Sequence, residues 1–329
     1  MYLLSSCDKQ NENILPDKDP TETGDEEEYP PVPEKPVFEE RSIRVSVSEI
    51  YIDGTVDRNF YLGTVWGLKD TVPQLELTPL HNHFTPFDIT ATSTSPLVRS
   101  ISFMPSFDEI RSYALQSKAS QSVMGQYSTY DFSDYRTISY FIYNNADVAC
   151  VLKLVEHNDS TTIKRAHSSL IYGKNIQFEL MTDFGDFARG FSEQDVAKLK
   201  QAGFNPYYVS MASYGTHYIL MAESDSSRTQ FNRAFDKLLD DQSLSETDKA
   251  VLSNSDLLVY LRGGGKDSFI KRESGLIGIT SLVTAFKEEF EQQRNLFDFP
   301  ISYRLWSVDD FSSLGYQYSY DILARKEEG

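Results

Sequence analysis

YYVSMASYGTHYILMAE, residues 207–223, is the stretch that decides the fold. It contains four tyrosines together with Val209 and Ile219, residue types that are enriched in β-strands. Gly215 interrupts the run once. The pattern predicts one long strand, and the 13% aromatic share of the chain favours extended structure over a helical bundle.

The segments around this strand alternate between strand and helix periodicity. Residues 174–181 place Ile176, Phe178 and Leu180 on one face. Residues 182–203 and 224–253 carry apolar residues at helical spacing. The other predicted elements are strands at 41–53, 256–261, 300–306 and 316–323, helices at 107–117 (capped by Ser106) and 276–290, and a strand or strand plus helix at 138–154. This order predicts an α+β fold, an antiparallel sheet flanked by small helical clusters.

Composition excludes several classes of protein. The chain has 329 residues, 31 Lys and Arg against 49 Asp and Glu, and a net charge of −18. This excess of acid argues against nucleic acid as a partner, because phosphate binding needs clustered basic residues. No run of 18 apolar residues occurs, so the sequence predicts no membrane-spanning helix. Two cysteines cannot build a disulfide framework.

The N-terminal region has its own character. Residues 1–7 end in Leu4-Ser5-Ser6-Cys7, which resembles the end of a bacterial lipoprotein signal; a free cysteine at a frayed terminus is the alternative. Residues 8–40 hold twelve acidic residues, three lysines and six prolines, a composition typical of a disordered tether. We therefore expect three parts, a signal end at 1–7, a tether at 8–40 and a folded core at 41–329. We also expect a lipid on Cys7 that holds the protein on the bacterial cell envelope, at the outer-membrane surface; release from the cell is the alternative.

Five short motifs resemble one family in the same order along residues 53–321. The pairs are VSMASYG (209–215) with VSxVxYG, FPISY (299–303) with YPISY, residues 231–239 with AAFxALxK, residues 256–264 with a strand ending in LGG, and VDRNFYLG (56–63) with VTDRTYPGA. The chain thus resembles the cholesterol-dependent, thiol-activated cytolysins of the MACPF/CDC superfamily. The resemblance implies a bent, twisted antiparallel sheet core with two helical-cluster inserts.

The resemblance also implies a mechanism and partners. Members of the family assemble into a ring on a membrane, and two helical clusters of each subunit unfold into β-hairpins of one barrel. By position the clusters here are residues 182–203 and 224–253, and both exceed the roughly 20 residues that a membrane hairpin needs. The hairpin candidates are Phe184, Phe187, Phe191, Phe231, Phe235, Leu238 and Leu239. Both segments nevertheless mix charged and apolar residues on one parity, so the helical state is better encoded than the inserted one.

Glycine and aromatic positions receive roles from the same resemblance. Gly215 would mark a bend in the sheet, or a simple bulge. Gly263 and Gly264 would form a flexible corner, or an ordinary loop. Phe178 and Tyr214 would stack across subunits whose edge strands pair, or would be core residues.

The remaining residues define the alternatives. The sequence stops where the family continues into its cholesterol-recognising domain, so cholesterol binding is not expected. His81 and His83 form the only close histidine pair, with too few neighbours for a metal site. Cys150 lies in an apolar run and is predicted to be a core residue. No catalytic motif or cofactor site is present, and we expect no enzyme.

Two hypotheses remain. The first is a pore-forming or ring-assembling lipoprotein that assembles with itself or with a related protein. The second is a non-lytic surface lipoprotein that uses the same scaffold for binding or assembly with a partner.

Overall fold

The computed structural model describes residues 37–53, 55, 58–69, 77–81, 87–93, 99–103, 106–116, 124–143, 145–156, 160–182 and 192–326. Its strands are β1 (Phe38–Val47), β2 (Ile50–Tyr51), β3 (Val65–Leu68), β4 (Leu77–His81), β5 (Phe87–Ser93), β6 (Arg99–Phe103), β7 (Met124–Tyr130), β8 (His167–Thr182), β9 (Asn205–Ser224), β10 (Ser255–Arg262), β11 (Phe269–Ser274), β12 (Ser302–Ser307) and β13 (Tyr316–Arg325). Its helices are α1 (Phe107–Gln116), a 3₁₀ turn (Tyr135–Ile138), α2 (Ser139–Ile142), α3 (Ala146–Val155), α4 (Glu193–Gln201), α5 (Arg228–Leu239), α6 (Glu246–Ser253) and α7 (Gly275–Gln293). The predicted α+β class with an antiparallel sheet is confirmed.

The two longest strands, β8 and β9, form the antiparallel centre of an eleven-stranded sheet. Each of them changes its outer neighbour half way along. Strand β9 pairs with β3 and β12 in its first half and with β10 in its second half. Strand β8 pairs with β7 in its first half and with β5 in its second half. The sheet therefore has two halves that share only β8 and β9.

Gly215 lies at the boundary between these halves. Its φ is +154°, a value that side chains with a Cβ rarely adopt, and the register of β8 against β9 shifts between Ile176 and Phe178. A Cβ at Gly215 would overlap the carbonyl oxygen of Asn175 and would lie 3.1 Å from the Cα of Ile176. The backbones approach so closely here that only glycine fits.

The core is divided by the sheet. In the half that carries β10, one face packs against residues 132–155, and the opposite face packs against α5, α6 and α7. The other half has its own cluster, in which α1 packs against the sheet and the aromatic rings of Trp66, Phe178 and Tyr303 are buried. Both faces of the central strands are thus covered, which explains why β10 is buried along its whole length.

Most sequence-based boundaries agree with the structure, but β1 begins at Phe38, inside the predicted tether 8–40, and the predicted strand 41–53 is divided into β1 and β2. Strand β9 matches the predicted strand 207–223 and α7 the predicted helix 276–290, and Ser106 accepts a hydrogen bond from the amide of Glu109, 3.2 Å away. Residues 138–154 were predicted as a strand or strand plus helix, and this prediction is wrong, because they form α2 and α3. Helix α3 begins where the side chain of Asn145 caps the amides of Asp147 and Val148, and a short apolar run does not reveal its period.

Candidate functional site

Two helical clusters lie at the same end of the central sheet. The first cluster, residues 131–166, follows the pairing of Tyr130 with Leu170 and ends just before β8 begins at His167. The second cluster, residues 225–254, connects Ser224 of β9 to Ser255 of β10, and these residues are paired. His167 is also paired with Ser224. Each cluster therefore connects two neighbouring strands at one common edge of the sheet.

Residues 182–203 were predicted to be the first insert, and their described part, Thr182 and residues 192–203, lies at the opposite end of the sheet. Thr182, the last residue of β8, pairs with Ile89, and Asn205, the first residue of β9, pairs with Leu68. That position is wrong for a partner of the second cluster, because two hairpins of one barrel must extend from the same edge. Helix α4 in this segment begins with a capping box between Ser192 and Asp195. The candidates Phe184, Phe187 and Phe191 lie outside the described residues.

The first cluster is held to the sheet by buried polar contacts at its two ends. Glu223 of β9 is almost fully buried and accepts hydrogen bonds from the hydroxyl of Tyr135 (2.8 Å) and from the amides of Lys164 and Arg165, the latter at 3.0 Å. Arg272 of β11 adds an ion pair at 3.6 Å. One carboxylate thereby binds both the start and the end of the cluster.

Asp134 connects the first cluster to a separate ribbon formed by β1 and β13. Its fully buried carboxylate accepts hydrogen bonds from the hydroxyl of Thr161 (2.7 Å), the amide of Leu323 (2.8 Å) and the guanidinium of Arg136 (2.6 Å). Burial alone would raise its pKa, but these donors outweigh burial and hold the pKa of Asp134 below its ordinary value. Arg325 of β13 also donates to the carbonyl of Ala166 at 2.9 Å. The ribbon therefore fastens both ends of the cluster.

Helix α3 packs one face against the sheet and leaves the other in solvent. Val148, Val151 and Val155 are buried. At its N-terminus Asp147 accepts hydrogen bonds from Ser268 (2.6 Å) and Tyr260 (3.2 Å). Burial raises the pKa of Asp147.

The opposite face of α3 contains Ala149, Cys150 and Leu154, all exposed, with Leu154 at 46%. The prediction that Cys150 is a core residue is therefore wrong, since the apolar run is longer than the stripe that the helix buries.

A row of three basic residues crosses the sheet close to the bend. Lys174 of β8 pairs with His217 of β9, and His217 pairs with Arg262 of β10. Glu49 binds the ammonium of Lys174 at 2.7 Å. His217 is fully buried, its ring lies 4.8 Å from that of Tyr51, and its Nδ1 has no hydrogen-bond partner. Burial and the two neighbouring cations hold the pKa of His217 well below its usual value.

The second cluster is a compact helical hairpin. Helices α5 and α6 each begin with a capping box, at Ser227 and Ser245. Phe231 and Phe235 are buried against the sheet and α7, while Leu238 and Leu239 are half-buried at the edge of the same core. These four hairpin candidates thus support the helical state.

The glycine pair after β10 is packed rather than loose. Gly263 and Gly264 are buried, and a Cβ on Gly263 would lie 2.5 Å from the Cβ of Gln293 in α7. The carbonyl of Gly264 accepts a hydrogen bond from the amide of Phe299 at 3.0 Å. The expected flexible corner is therefore a close contact with the end of α7, a tertiary constraint that loop composition does not reveal.

The rings of Phe178 and Tyr214 stack within one chain at a centroid separation of 4.8 Å. Both residues are buried in the core beside the bend. They are core residues, which was the alternative to stacking across subunits.

The expected pairing of subunits needs edge strands. Strand β10 is already paired on its outer side with β11. Among the described residues, β7 pairs only with β8. In the part of the chain that the structure describes, no helix combines the length and apolarity needed to cross a bilayer, and no group of three metal-ligating side chains occurs. His83 and Cys7 lie outside the described residues, and His81 belongs to β4.

Comparison with solved structures shows which fold this is. Wild-type pneumolysin matches at a TM-score of 0.63 and 17% identity over 88% of this chain and 65% of its own. Suilysin, a cytotoxin from Streptococcus suis, matches at 0.64 and 16% over 87% and 65%. The human-specific toxin intermedilysin matches at 0.58 and 15% over 87% and 64%. No protein-family model and no curated protein matches the sequence. The chain has the fold of the cholesterol-dependent cytolysins and spans less than two thirds of the length of these structures.

Proposed function

We propose that this chain, built on the cytolysin fold, is a ring-assembling protein whose helical clusters convert to β-hairpins at a membrane. The observation that carries the proposal is the position of the two clusters at one edge of the sheet. The first cluster has 36 residues and the second has 30, against the roughly 20 that a membrane hairpin needs. Each cluster is flanked by neighbouring strands, so conversion would lengthen existing strands without changing the topology.

The conversion keeps the backbone amides and carbonyls hydrogen-bonded. Residues leaving a helix must find new partners for their amides and carbonyls, and a lengthened sheet supplies them at every position. Pairing between subunits would close the sheet and leave no open edge in lipid. The cost lies in breaking the contacts that Glu223 makes with the first cluster, and those that Asp134 and Asp147 of this cluster make with β13, Ser268 and Tyr260.

We propose that Cys7 carries lipid and holds the protein on the bacterial envelope. The support is the Leu4-Ser5-Ser6-Cys7 sequence and the acidic, Pro-rich composition of residues 8–40. Metabolic labelling with palmitate should mark the wild type and not the Cys7→Ser variant. Equal labelling of both would remove the anchor from this proposal.

The main test combines dye release with imaging. The protein, added at micromolar concentration to dye-loaded vesicles, should release dye and form rings visible by negative-stain microscopy. Heat-denatured protein is the control for nonspecific damage. A stable monomer that releases no dye would refute pore formation by this chain acting alone.

The second candidate is a non-lytic surface scaffold. It is favoured by the second cluster, whose residues 228–238 carry charge on both alternating faces. Rings without dye release would support this second candidate.

A further inference from the structure

One histidine is buried on the sheet face that the first cluster covers. The side chain of His217 lies on the face of β9 that packs against residues 132–155. Its partners in the strand register, Lys174 of β8 and Arg262 of β10, lie on the same face. All three side chains are buried, so a proton on His217 would place three positive charges side by side away from water.

Tyrosine rings surround the imidazole. Tyr51 of β2 lies against it at a ring separation of 4.8 Å, and Tyr260 of β10 lies at 5.3 Å. The Tyr260 hydroxyl is 3.5 Å from Nε2 of His217, and Nδ1 has no hydrogen-bond partner among the described residues. Tyr143, at the C-terminus of α2, packs against Tyr51 at 5.7 Å. A protonated imidazole would therefore have at Nδ1 a donor without an acceptor.

The carboxylates around this row of basic residues are engaged with other groups. They come from four elements and belong to Glu49, Asp53, Asp147 and the exposed Asp267. Glu49 binds the ammonium of Lys174 at 2.7 Å, and Asp53 accepts a hydrogen bond from the amide of Ala146 at 2.7 Å. Asp147 accepts hydrogen bonds from two hydroxyls. In the part of the chain that the structure describes, none of these carboxylates hydrogen-bonds the imidazole.

The junction between α2 and α3 contacts the residues around this row and is itself strained. Tyr143 has φ 56° and ψ −154°, a conformation that is unfavourable for a residue with a Cβ. The Nδ2 atom of Asn145 is buried, and no described residue accepts a hydrogen bond from it. Both features lower the stability of the closed junction, so we expect local opening of the first cluster to begin here.

We propose that His217 makes the opening of residues 143–155 sensitive to acid. When the junction and α3 leave the sheet, water reaches the imidazole, which takes up a proton from solvent. The charged ring, between Lys174 and Arg262, then keeps the segment from closing again. This opening is a property of the folded chain alone, and its part in converting the first cluster at a membrane rests on the proposed function.

The size of the effect follows from the linkage between proton binding and opening. The closed state holds the pKa of His217 well below its usual value, whereas an imidazole in water has a pKa of about 6.5. The ratio of open to closed molecules should therefore rise about tenfold between about pH 7.5 and about pH 5.5.

The neighbouring carboxylates respond differently to acid. Burial raises the pKa of Asp147, so protonation of this group favours the closed state and opposes the effect of His217. The pKa values of Glu49 and Asp53 are lowered in the fold, so their contribution is lost only below about pH 5. The interval between about pH 5.5 and about pH 7.5 therefore isolates the histidine.

Hydrogen exchange measures the opening directly. A helix of ten residues is not stable on its own, so the amides of α3 exchange whenever it leaves the sheet. Corrected for the intrinsic effect of pH, their exchange in the wild type should be about tenfold faster at about pH 5.5 than at about pH 7.5. Exchange in α4, at the other end of the sheet, should change less than about twofold.

Two histidine substitutions identify the group that titrates. His217→Gln should reduce the effect of pH on α3 to less than about twofold, whereas His167→Gln, at an exposed position, should keep it at about tenfold. Each ratio compares one variant with itself, so a general loss of stability does not affect it. In the NMR spectrum of the wild type, the His217 imidazole should not titrate between about pH 7.5 and about pH 5.5, and titration there would overturn the proposal.

Vesicles separate this proposal from pore formation. Dye release by the wild type and by His167→Gln should be about tenfold faster at about pH 5.5 than at about pH 7.5, and His217→Gln should remove that difference. An effect of pH on α3 that persists in His217→Gln, or equal exchange rates in α3 and β10, would overturn the acid-sensitive opening and leave the pore proposal standing. The predicted exchange without dye release at either pH would support the opening and refute pore formation by this chain alone.

Discussion

Gly215→Ala tests whether the close approach at the sheet bend is essential to the fold. The φ of +154° is unfavourable for alanine by about 1–3 kcal/mol. The added Cβ also overlaps the carbonyl oxygen of Asn175, so the strands must move apart, which weakens one or two backbone hydrogen bonds at about 1 kcal/mol each. Together these effects should lower the free energy of unfolding by about 2–5 kcal/mol and the melting temperature by roughly 4–20 °C.

Substitutions at two other glycines distinguish the cost of the φ angle from the cost of the close contact. Gly203 has φ +81° but open space around its Cβ position, so Gly203→Ala should cost only about 1–2 kcal/mol. Gly315 has open space and no unusual φ, so Gly315→Ala should be neutral within about 0.5 kcal/mol. Urea unfolding followed by tryptophan fluorescence measures all three. A Gly215→Ala variant no less stable than Gly203→Ala would refute the packing argument at the bend.

Three further predictions concern the packing around the clusters. Because the pKa of His217 is lowered in the fold, its neutral state stabilises the protein fully above about pH 6.5, and stability falls by up to about 1.4 kcal/mol per pH unit below it. In urea unfolding, His217→Asn should flatten this slope, while His167→Asn at an exposed position should not. Asp134→Ala should cost about 3 kcal/mol and speed amide hydrogen exchange in residues 131–143, whereas unchanged exchange would contradict the fastening role of Asp134. Phe235→Ala should cost about 3–5 kcal/mol by calorimetry, against almost nothing for Ile277→Ala, whose side chain is 83% exposed.

Residues 131–166 show where sequence reasoning was limited. The aromatic and β-branched residues at 138–154 predict a strand or a strand plus helix, because a short apolar run has no diagnostic period. A weaker but useful signal was Asn145, whose side chain caps the amides of Asp147 and Val148.

The assignment of 182–203 as an insert failed for a different reason. The segment does contain a helix, α4, so its local structure was predictable from the Ser192 cap. Which end of the sheet it occupies depends on the direction of β8 and on the partners of its last residues. Periodicity contains no information about strand direction or pairing partners.

The sequence by itself determined the long strand at 207–223, the α+β class, the second cluster and the likeness to the cytolysins, because these depend on local periodicity and short motifs. Only the tertiary structure decided that residues 131–166 share one edge of the sheet with residues 225–254. It also decided that Gly263 and Gly264 meet the end of α7, and that Cys150 faces solvent. The physical reason is that these features depend on pairing and packing between residues distant in sequence, which no local pattern specifies.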